Sequence, residues 1–540
     1  MISEKLRPAG GIFFVLAAVL AIQSGCSRDR KPANVVFLTL DTFRADHLGA
    51  LSGGRAATPA LDGLAARGIL FENAWSPIPI TLPAHKSMFF GQPPHALTTY
   101  NNGQVIAARR EFPSFVQAFH KKGFATAAFV SLGVLTREFG TAEGFDQYED
   151  QFPAERWYLT ADEVNRKVVP WLEAHHDKPF FLWVHYSDPH DPYSPPDMPE
   201  DLKLRLNGRA AGSYRLNDYA WHKVELDLRA GENILVFETE NPYQSNPDRP
   251  TARLDELRFT PEDGMKDVAW EHKDRWISFP GKTARYFKSG ASIILRAPTA
   301  RKVTMEFYGQ LFLPIPATRK LYRREIQYLD GKIGELLAAL DRLGLRENTA
   351  VVAVGDHGEG LGEFRNEAGE PHCGHIKFLQ KIYLHVPLIV SIPGNRRNGT
   401  RRTEPVTLLD IAPTFLEYFG LEGVRGLPGR DLLSLPKGAT IPVFAETFRP
   451  ESDRNRFALY EAPWQMILDP ELGRHKMFNL SADPAERADL WGTASVPADV
   501  GRDFEKRLGA FAREILSGKK DTSIDPKAEE MLKSLGYIGK

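Results

Sequence analysis

Between Asn34 and Leu40 the chain reads Asn-Val-Val-Phe-Leu-Thr-Leu, a nearly unbroken apolar run that stops at Asp41. So short a run, apolar on both of its alternating faces, predicts a strand buried on both sides of a parallel sheet. A helix is predicted from Thr58 to Gly68, with Pro59 at its first position and glycine closing it. A second helix is expected from Phe112 to Lys122, and after Gly123 a strand from Phe124 to Val130. The stretch from Ala161 to His175 reads as helix and Phe180 to Val184 as another buried strand. Strands alternating with helices predict an α/β fold with a mainly parallel sheet flanked by helices.

That rhythm breaks near Pro199. From about Asp201 to Gln310 the pattern turns to period two, as in His222-Lys-Val-Glu-Leu-Asp-Leu228, with a hairpin signal at Ala230-Gly-Glu-Asn233. This predicts an inserted β-sandwich module, which either binds glycan or covers an active site. The α/β pattern resumes with a long helix from Thr318 to Leu343, strands from Thr349 to Val354 and Val386 to Ile392, and a helix from Leu408 to Phe419. The expected organisation is an α/β domain in two parts, 34–200 and 317–440, interrupted by the insertion 201–316 and followed by a small C-terminal subdomain, 441–540.

The first 33 residues are of another kind. Lys5 and Arg7 precede an apolar run from Ile12 to Ile22, which ends in Ser24-Gly25-Cys26. This is the layout of a bacterial export signal, too short for a comfortable membrane span. The Ser-Gly-Cys ending resembles a lipobox, although Gln23 stands where leucine is usual. The expectation is a periplasmic or cell-envelope protein anchored to the membrane by lipid on Cys26. Composition is ordinary for a globular protein, with 42% apolar and 25% charged residues in 540. A formal net charge of −1 gives no reason to expect a nucleic-acid partner. Cys26 and Cys373 are the only cysteines, so no disulfide framework is implied.

Candidate chemistry gathers where the predicted strands end: Asp41, then His185, Asp188 and His190, then Asp356 and His357. In a parallel sheet ligands collect beyond the carboxyl ends of the strands. A further group is Thr81-Leu-Pro-Ala-His85, a loop turning into a helix with Pro83 in its first turn and Gly91 at its end. A threonine hydroxyl at a helix start is either a cap or a nucleophile placed where an anion is favoured.

Six segments in order carry a family resemblance: Leu38-Thr-Leu-Asp41-Thr-Phe-Arg44-Ala-Asp-His-Leu-Gly49, Thr81-x-Pro-x-His85, Asp188-Pro-His-Asp-Pro-Tyr193, Gly355-Asp-His-Gly-Glu-Gly-Leu-Gly-Glu363, His385-Val-Pro-Leu-Ile-Val390 and Met477-Phe-Asn-Leu-Ser-Ala-Asp-Pro484. Together they resemble the sulfatase family of the alkaline phosphatase superfamily, with an alkaline-phosphatase-like sheet. The resemblance implies that Asp41, Asp356 and His357 bind a metal that also touches the Thr81 oxygen. Asp188, His190 and His375 are candidates for a second metal site. His190 is alternatively a grip on the substrate anion or a proton donor to the leaving oxygen. The imidazole favours Zn²⁺ or Mn²⁺ over Ca²⁺.

Departures from the family pattern narrow the chemistry. Thr81 stands where sulfatases carry the cysteine or serine converted to formylglycine, and His85 stands in the following arginine position. Thr42 replaces the usual second aspartate and His385 an arginine. These features resemble the threonine branch of the family. The expected catalytic residues are Thr81, His190 and His85, with Arg44, Lys377 and His185 binding substrate. The expected activity is metal-dependent hydrolysis of sulfate or phosphate esters, mono- or diesters, of a small molecule, glycan or lipid. Two rivals are a phosphoethanolamine-type transferase acting on the envelope and an inactive glycan-binding lipoprotein.

Overall fold

The computed structural model describes residues 32–104, 112–218, 220–242, 249–261, 268–271, 275–277, 284–367, 369–423, 426–449, 454–518, 524 and 528–534. The leader and Cys26 lie outside the described residues. The α/β elements used below are β1 (Asn34–Leu40), α1 (Pro59–Arg67), β2 (Ile69–Trp75), α2 (Thr81–Phe90), α3 (Phe115–Lys121), β3 (Ala125–Phe129), β4 (Gln147–Glu149), α4 (Ala161–His175), β5 (Phe180–Tyr186), α5 (Ile315–Arg342), β6 (Thr349–Gly355), β7 (His385–Ser391) and α6 (Ile411–Phe419). They follow the sequence pattern to within a few residues, except β2 and β4, which the pattern did not announce.

These strands form a nine-stranded sheet whose main path ends with β2, β7, β6, β1, β5, β3 and β4. β1 lies parallel between β6 and β5, pairing Leu40 with Gly355 on one side and Tyr186 on the other. β7 is antiparallel to both β6 and β2, so the sheet is mixed at that edge. Alternation along β1 explains its burial on both faces. Val36, Leu38 and Leu40 join the core under α1, α4 and α5, while Val35 and Phe37 point into the core under α2, α3 and α6. Phe37 meets Phe89, Phe115 and Phe415 edge to face, with ring centroids 5.7–6.2 Å apart. Such pairs add roughly 0.5–1.5 kcal/mol each beyond their area, which fixes α2 against the sheet.

Between β5 and α5, residues 202–311 build two five-stranded antiparallel sheets. Leu204, Leu226, Leu235, Leu254, Ile293 and Met305, from both sheets, share one core that is continuous with the α/β core. The period-two pattern thus finds its apolar side between the sheets. Near the C-terminus a four-stranded antiparallel sheet (443–479) packs on the helix Ala498–Ser517 through Phe457, Met466, Phe504 and Leu508.

Asp201 pins the first residues of the insertion to its neighbouring strands. Its backbone bonds Tyr214 and Glu240, its Oδ1 accepts from the Leu216 amide at 2.8 Å, and its buried Oδ2 has no partner. Burial is the largest influence on its carboxyl and lifts it from the usual 3.8 to about 7. A folded-state value above the unfolded one means the folded chain holds this proton more tightly. Stability therefore falls as pH rises from about 4 to about 7, and the full cost applies above that window. Asp201→Asn keeps the Oδ1 acceptor and removes the titration. Calorimetry is expected to show the variant about 1–3 kcal/mol more stable than the parent at pH 8, the difference closing towards pH 4.

Candidate active site

Asp41 leaves the end of β1 and Asp356 the end of β6, one strand away. Thr81 is the first residue of α2, one step past the N-cap Ile80, and the helix closes at Gly91 in the left-handed conformation (φ 63°). Threonine at this position directs its hydroxyl outward to the strand ends. Oγ1 lies 3.2 Å from His357 Nε2 and 3.5 Å from Asp41 Oδ2. His357 Nε2 is 3.4 Å from Asp356 Oδ2 and 3.7 Å from Asp41 Oδ1. Ligand atoms of Asp41, Asp356 and His357 all fall within 4.8 Å of one another, a possible metal site. All four side chains are fully buried.

The protonation states follow from the partners. His357 Nδ1 lies 3.0 Å from the Gly358 carbonyl, which only accepts, so Nδ1 carries the proton and the Nε2 lone pair faces the carboxylates. Burial, then the neighbouring His375, hold the His357 imidazole down at about 3, neutral and fit to ligate. Asp356 Oδ1 accepts from the Thr42 and His357 amides, while Asp356 Oδ2 and Asp41 Oδ1 are buried without a hydrogen-bond donor. Burial and the charge of Asp41 push the Asp356 carboxyl far up. Burial opposes ionisation of Asp41 too, but His185, His190 and His357 outweigh it and hold that carboxyl low. Two buried carboxylates with orphaned oxygens beside a neutral imidazole and a hydroxyl are a donor set fit for a divalent cation.

His85 lies behind Thr81, on the side of its backbone carbonyl and Thr39. Trp183 Nε1 donates to Thr39 Oγ1, the Thr39 hydroxyl donates to His85 Nε2 at 3.0 Å, and His85 Nδ1 donates to the Thr81 carbonyl at 2.8 Å. Burial and His185 lower its imidazole to about 3, so it is a neutral brace for the start of α2. His185 also sits below the site: its Nδ1 accepts from the Ser131 amide and its Nε2 lies 3.5 Å from Asp41 Oδ2. His375 stacks near His357 (4.5 Å between centroids) and His190 near His375 (5.2 Å). Asp188 is turned away from this group, its Oδ1 accepting from the Ala161 amide at the start of α4. Arg44 is likewise turned away, bonded to Asp46 and Glu363. Lys377 is half-buried two residues beyond His375, and its carbonyl accepts from Arg456.

Sequence reasoning missed Glu359 and Ile376, and it noted Thr42 only as a replacement for aspartate. Buried Glu359 holds His375 Nδ1 at 3.3 Å; its place in the Gly355–Glu363 segment was the available signal. Thr42 (φ 54°) and Ile376 (φ 80°) are β-branched residues in left-handed conformations that strongly disfavour them. They adjoin Asp41 on one side and His375 on the other, and strain of this kind gathers at functional sites. The Thr42 amide on Asp356 and the Ile376 amide on the Pro79 carbonyl hold them there.

The sulfatase family model matches residues 33–421. The choline-sulfatase of Rhizobium meliloti is 32% identical over 82% of this chain and 79% of its own length. The N-acetylglucosamine-6-O-sulfatase of Bacteroides thetaiotaomicron is 21% identical over 94% and 90%. Among solved structures, the phosphonate monoester hydrolase of Agrobacterium radiobacter superposes with a TM-score of 0.58 at 17% identity, covering 90% of this chain and 96% of that one. A structure in complex with D-glucosamine-2-N,6-O-disulfate gives 0.59 at 16% identity, covering 92% and 100%. With its mostly parallel sheet and this cluster at the strand ends, the chain belongs to the sulfatase family of the alkaline phosphatase superfamily and is an ester hydrolase.

Proposed function

We propose that Thr81 is the nucleophile of a metal-dependent hydrolase of phosphate or sulfate esters, with phosphoryl esters favoured. The observation that carries this reading is the Thr81 hydroxyl held 3.2 Å from His357 Nε2 at the start of α2, with formylglycine precluded by the residue type. A threonine sulfate lacks the hemiacetal route by which formylglycine expels sulfate, whereas a threonine phosphate is open to attack by water. The curated relatives are named for sulfate esters, so the phosphoryl preference rests on the threonine chemistry alone.

Asp41, Thr81, Asp356 and His357 would hold Zn²⁺ or Mn²⁺ in preference to Ca²⁺, given one imidazole among the donors. Such a cation lowers the pKa of the hydroxyl and offsets charge on the transferred group. The Thr81 hydroxyl loses its proton to solvent as its oxygen bonds to phosphorus, the bond from phosphorus to the ester oxygen breaks, and water later cleaves the threonine ester. His190, whose ring lies 5.2 Å from that of His375 beside His357, is assigned to protonate the leaving oxygen. Lys377 is assigned to the product anion, because Arg44 is engaged elsewhere. His85 and His185 position Thr81 and Asp41. We also propose export to the bacterial envelope, with the membrane reached through lipid on Cys26.

Thr81→Ala is expected to lower kcat/KM on order of 10³-fold or more on aryl phosphate, diaryl phosphate and aryl sulfate assayed in parallel. Full turnover in this variant would remove Thr81 from its role. Faster hydrolysis of the sulfate than of either phosphate would overturn the phosphoryl preference alone.

Adding Zn²⁺ or Mn²⁺ at about a hundredfold its Kd is expected to stabilise the chelator-treated protein by about 2.7 kcal/mol. Asp356→Asn should abolish that gain in calorimetry, and an undiminished gain would place the metal elsewhere. Cys26→Ser is expected to move the expressed protein from the membrane to the soluble fraction; unchanged partition would discard the lipid anchor.

A further inference from the structure

A cavity of about 1170 Å³ opens beside the candidate active site, and eight Lys and Arg side chains line it against four carboxylates. The chain as a whole carries a formal charge of only −1, so this excess is local. Pairing accounts for little of it. Arg44 takes two of the carboxylates, Asp46 and Glu363, and Arg401 takes Glu72. The fourth, Glu486, is buried, and that burial lifts its carboxyl to about 8, leaving it largely uncharged at neutral pH. Among the described residues, Arg55, Arg319, Arg323, Arg365, Lys381 and Arg487 have no carboxylate partner, and they come from five separate segments of the chain.

Two details argue against an ordinary solvated surface. Arg319 and Arg323 stand four residues apart in the first turns of α5 and both face the cavity. Like charges at that spacing destabilise a helix by roughly 0.2–0.5 kcal/mol, a cost that a bound anion would remove. Lys381 is half-buried, and burial lowers its ammonium from the usual value, although its amide is bonded to Glu486.

Hydrogen bonds join the cavity wall to the candidate active site. Arg44 Nη1 donates to the Glu359 carbonyl at 3.1 Å, and the Glu359 carboxylate holds His375. The Gly358 amide, next to His357, donates to Tyr383, which follows Lys381 by two residues.

We propose that this cavity is a second anion-binding site, which takes a polyanionic glycan, with sulfate, phosphate or carboxylate groups on successive sugars engaging Arg319, Arg323, Arg365 and Arg487. Arginine suits this role because its planar fork pairs with an oxyanion through two hydrogen bonds. The site would hold one part of an extended glycan while an ester elsewhere on it reaches Thr81. Anion binding here does not require Thr81 to be the nucleophile, so it is measured on the Thr81→Ala chain as well as the parent.

The test is calorimetric titration of both proteins with a fully sulfated heparin hexasaccharide and, separately, with inorganic tripolyphosphate. Arg323→Glu/Arg487→Glu changes two exposed side chains and is expected to weaken hexasaccharide binding at least about tenfold. Arg209→Glu/Lys302→Glu makes the same charge change on exposed strands of the insertion and is expected to leave affinity within about twofold. Equal loss in the two double variants, undiminished binding to the first, or no binding to the parent would each overturn the proposal. Tighter binding of tripolyphosphate than of the hexasaccharide would overturn the glycan as occupant. Retention of the parent's thermal midpoint by both double variants, expected for exposed positions, makes a loss of affinity a loss of contacts.

Discussion

Two carboxylates buried side by side set the terms for the rest of the structure. Asp41 and Asp356 leave adjacent parallel strands, and neither has any solvent exposure. Burying even one unpaired carboxylate costs several kcal/mol, and a pair repels as well. Without a cation the arrangement survives only by keeping a proton on one of them, which is the direction in which Asp356 is pushed. Backbone amides of Thr42 and His357 satisfy one oxygen of Asp356, but Asp356 Oδ2 and Asp41 Oδ1, which face His357, are left for another partner. The sheet builds this confrontation because its parallel strands end at the same edge.

Surrounding residues serve to keep that edge rigid. Gly358 follows His357 because a side chain there would collide with the Ile382 carbonyl, so the turn closes tightly on the segment leading to β7. Thr42 and Ile376 hold unfavourable backbone conformations on opposite sides of the site. Each is fixed by a backbone hydrogen bond, so folding of the whole sheet supplies the energy that the local chain lacks.

Much of this was legible in the sequence, and for physical reasons. A strand buried on both faces must be apolar at every position, so β1, β5 and β6 showed plainly, and their ends pointed to Asp41, His185 and Asp356. β2 did not show, because its Ile-Leu-Phe-Glu-Asn-Ala-Trp pattern carries two polar residues and borders a helix that ends at Gly68. The residue types of the site could be read, but the direction of each side chain could not. Asp188 and Arg44 lie within a few residues of the cluster yet turn to a helix start and to Asp46. His85 lies one helical turn from Thr81, a spacing that says nothing about which side of the sheet its ring meets. The basic cavity was invisible because its arginines come from segments hundreds of residues apart and join only through the fold.

The departures at Thr42 and His85 now fall into one relation. Most sulfatases, by the pattern this chain resembles, carry a second aspartate at the first position and an arginine at the second. Here one anion and one cation are both absent, and the replacement at 85 is a neutral imidazole tied to Thr39 and the Thr81 carbonyl. Asp41 and Asp356 alone then match the charge of one divalent ion, with no guanidinium left to compete for them. Restoring arginine at 85 by itself would set a buried cation 3–4 Å from Asp356, where His85 Nδ1 now lies at 3.7 Å. It would also break the hydrogen-bond chain that braces α2. The two substitutions therefore stand or fall together, and the proposed role of Thr81 fits them: a hydroxyl whose activation would depend on a bound ion needs a site in which nothing else neutralises the carboxylates.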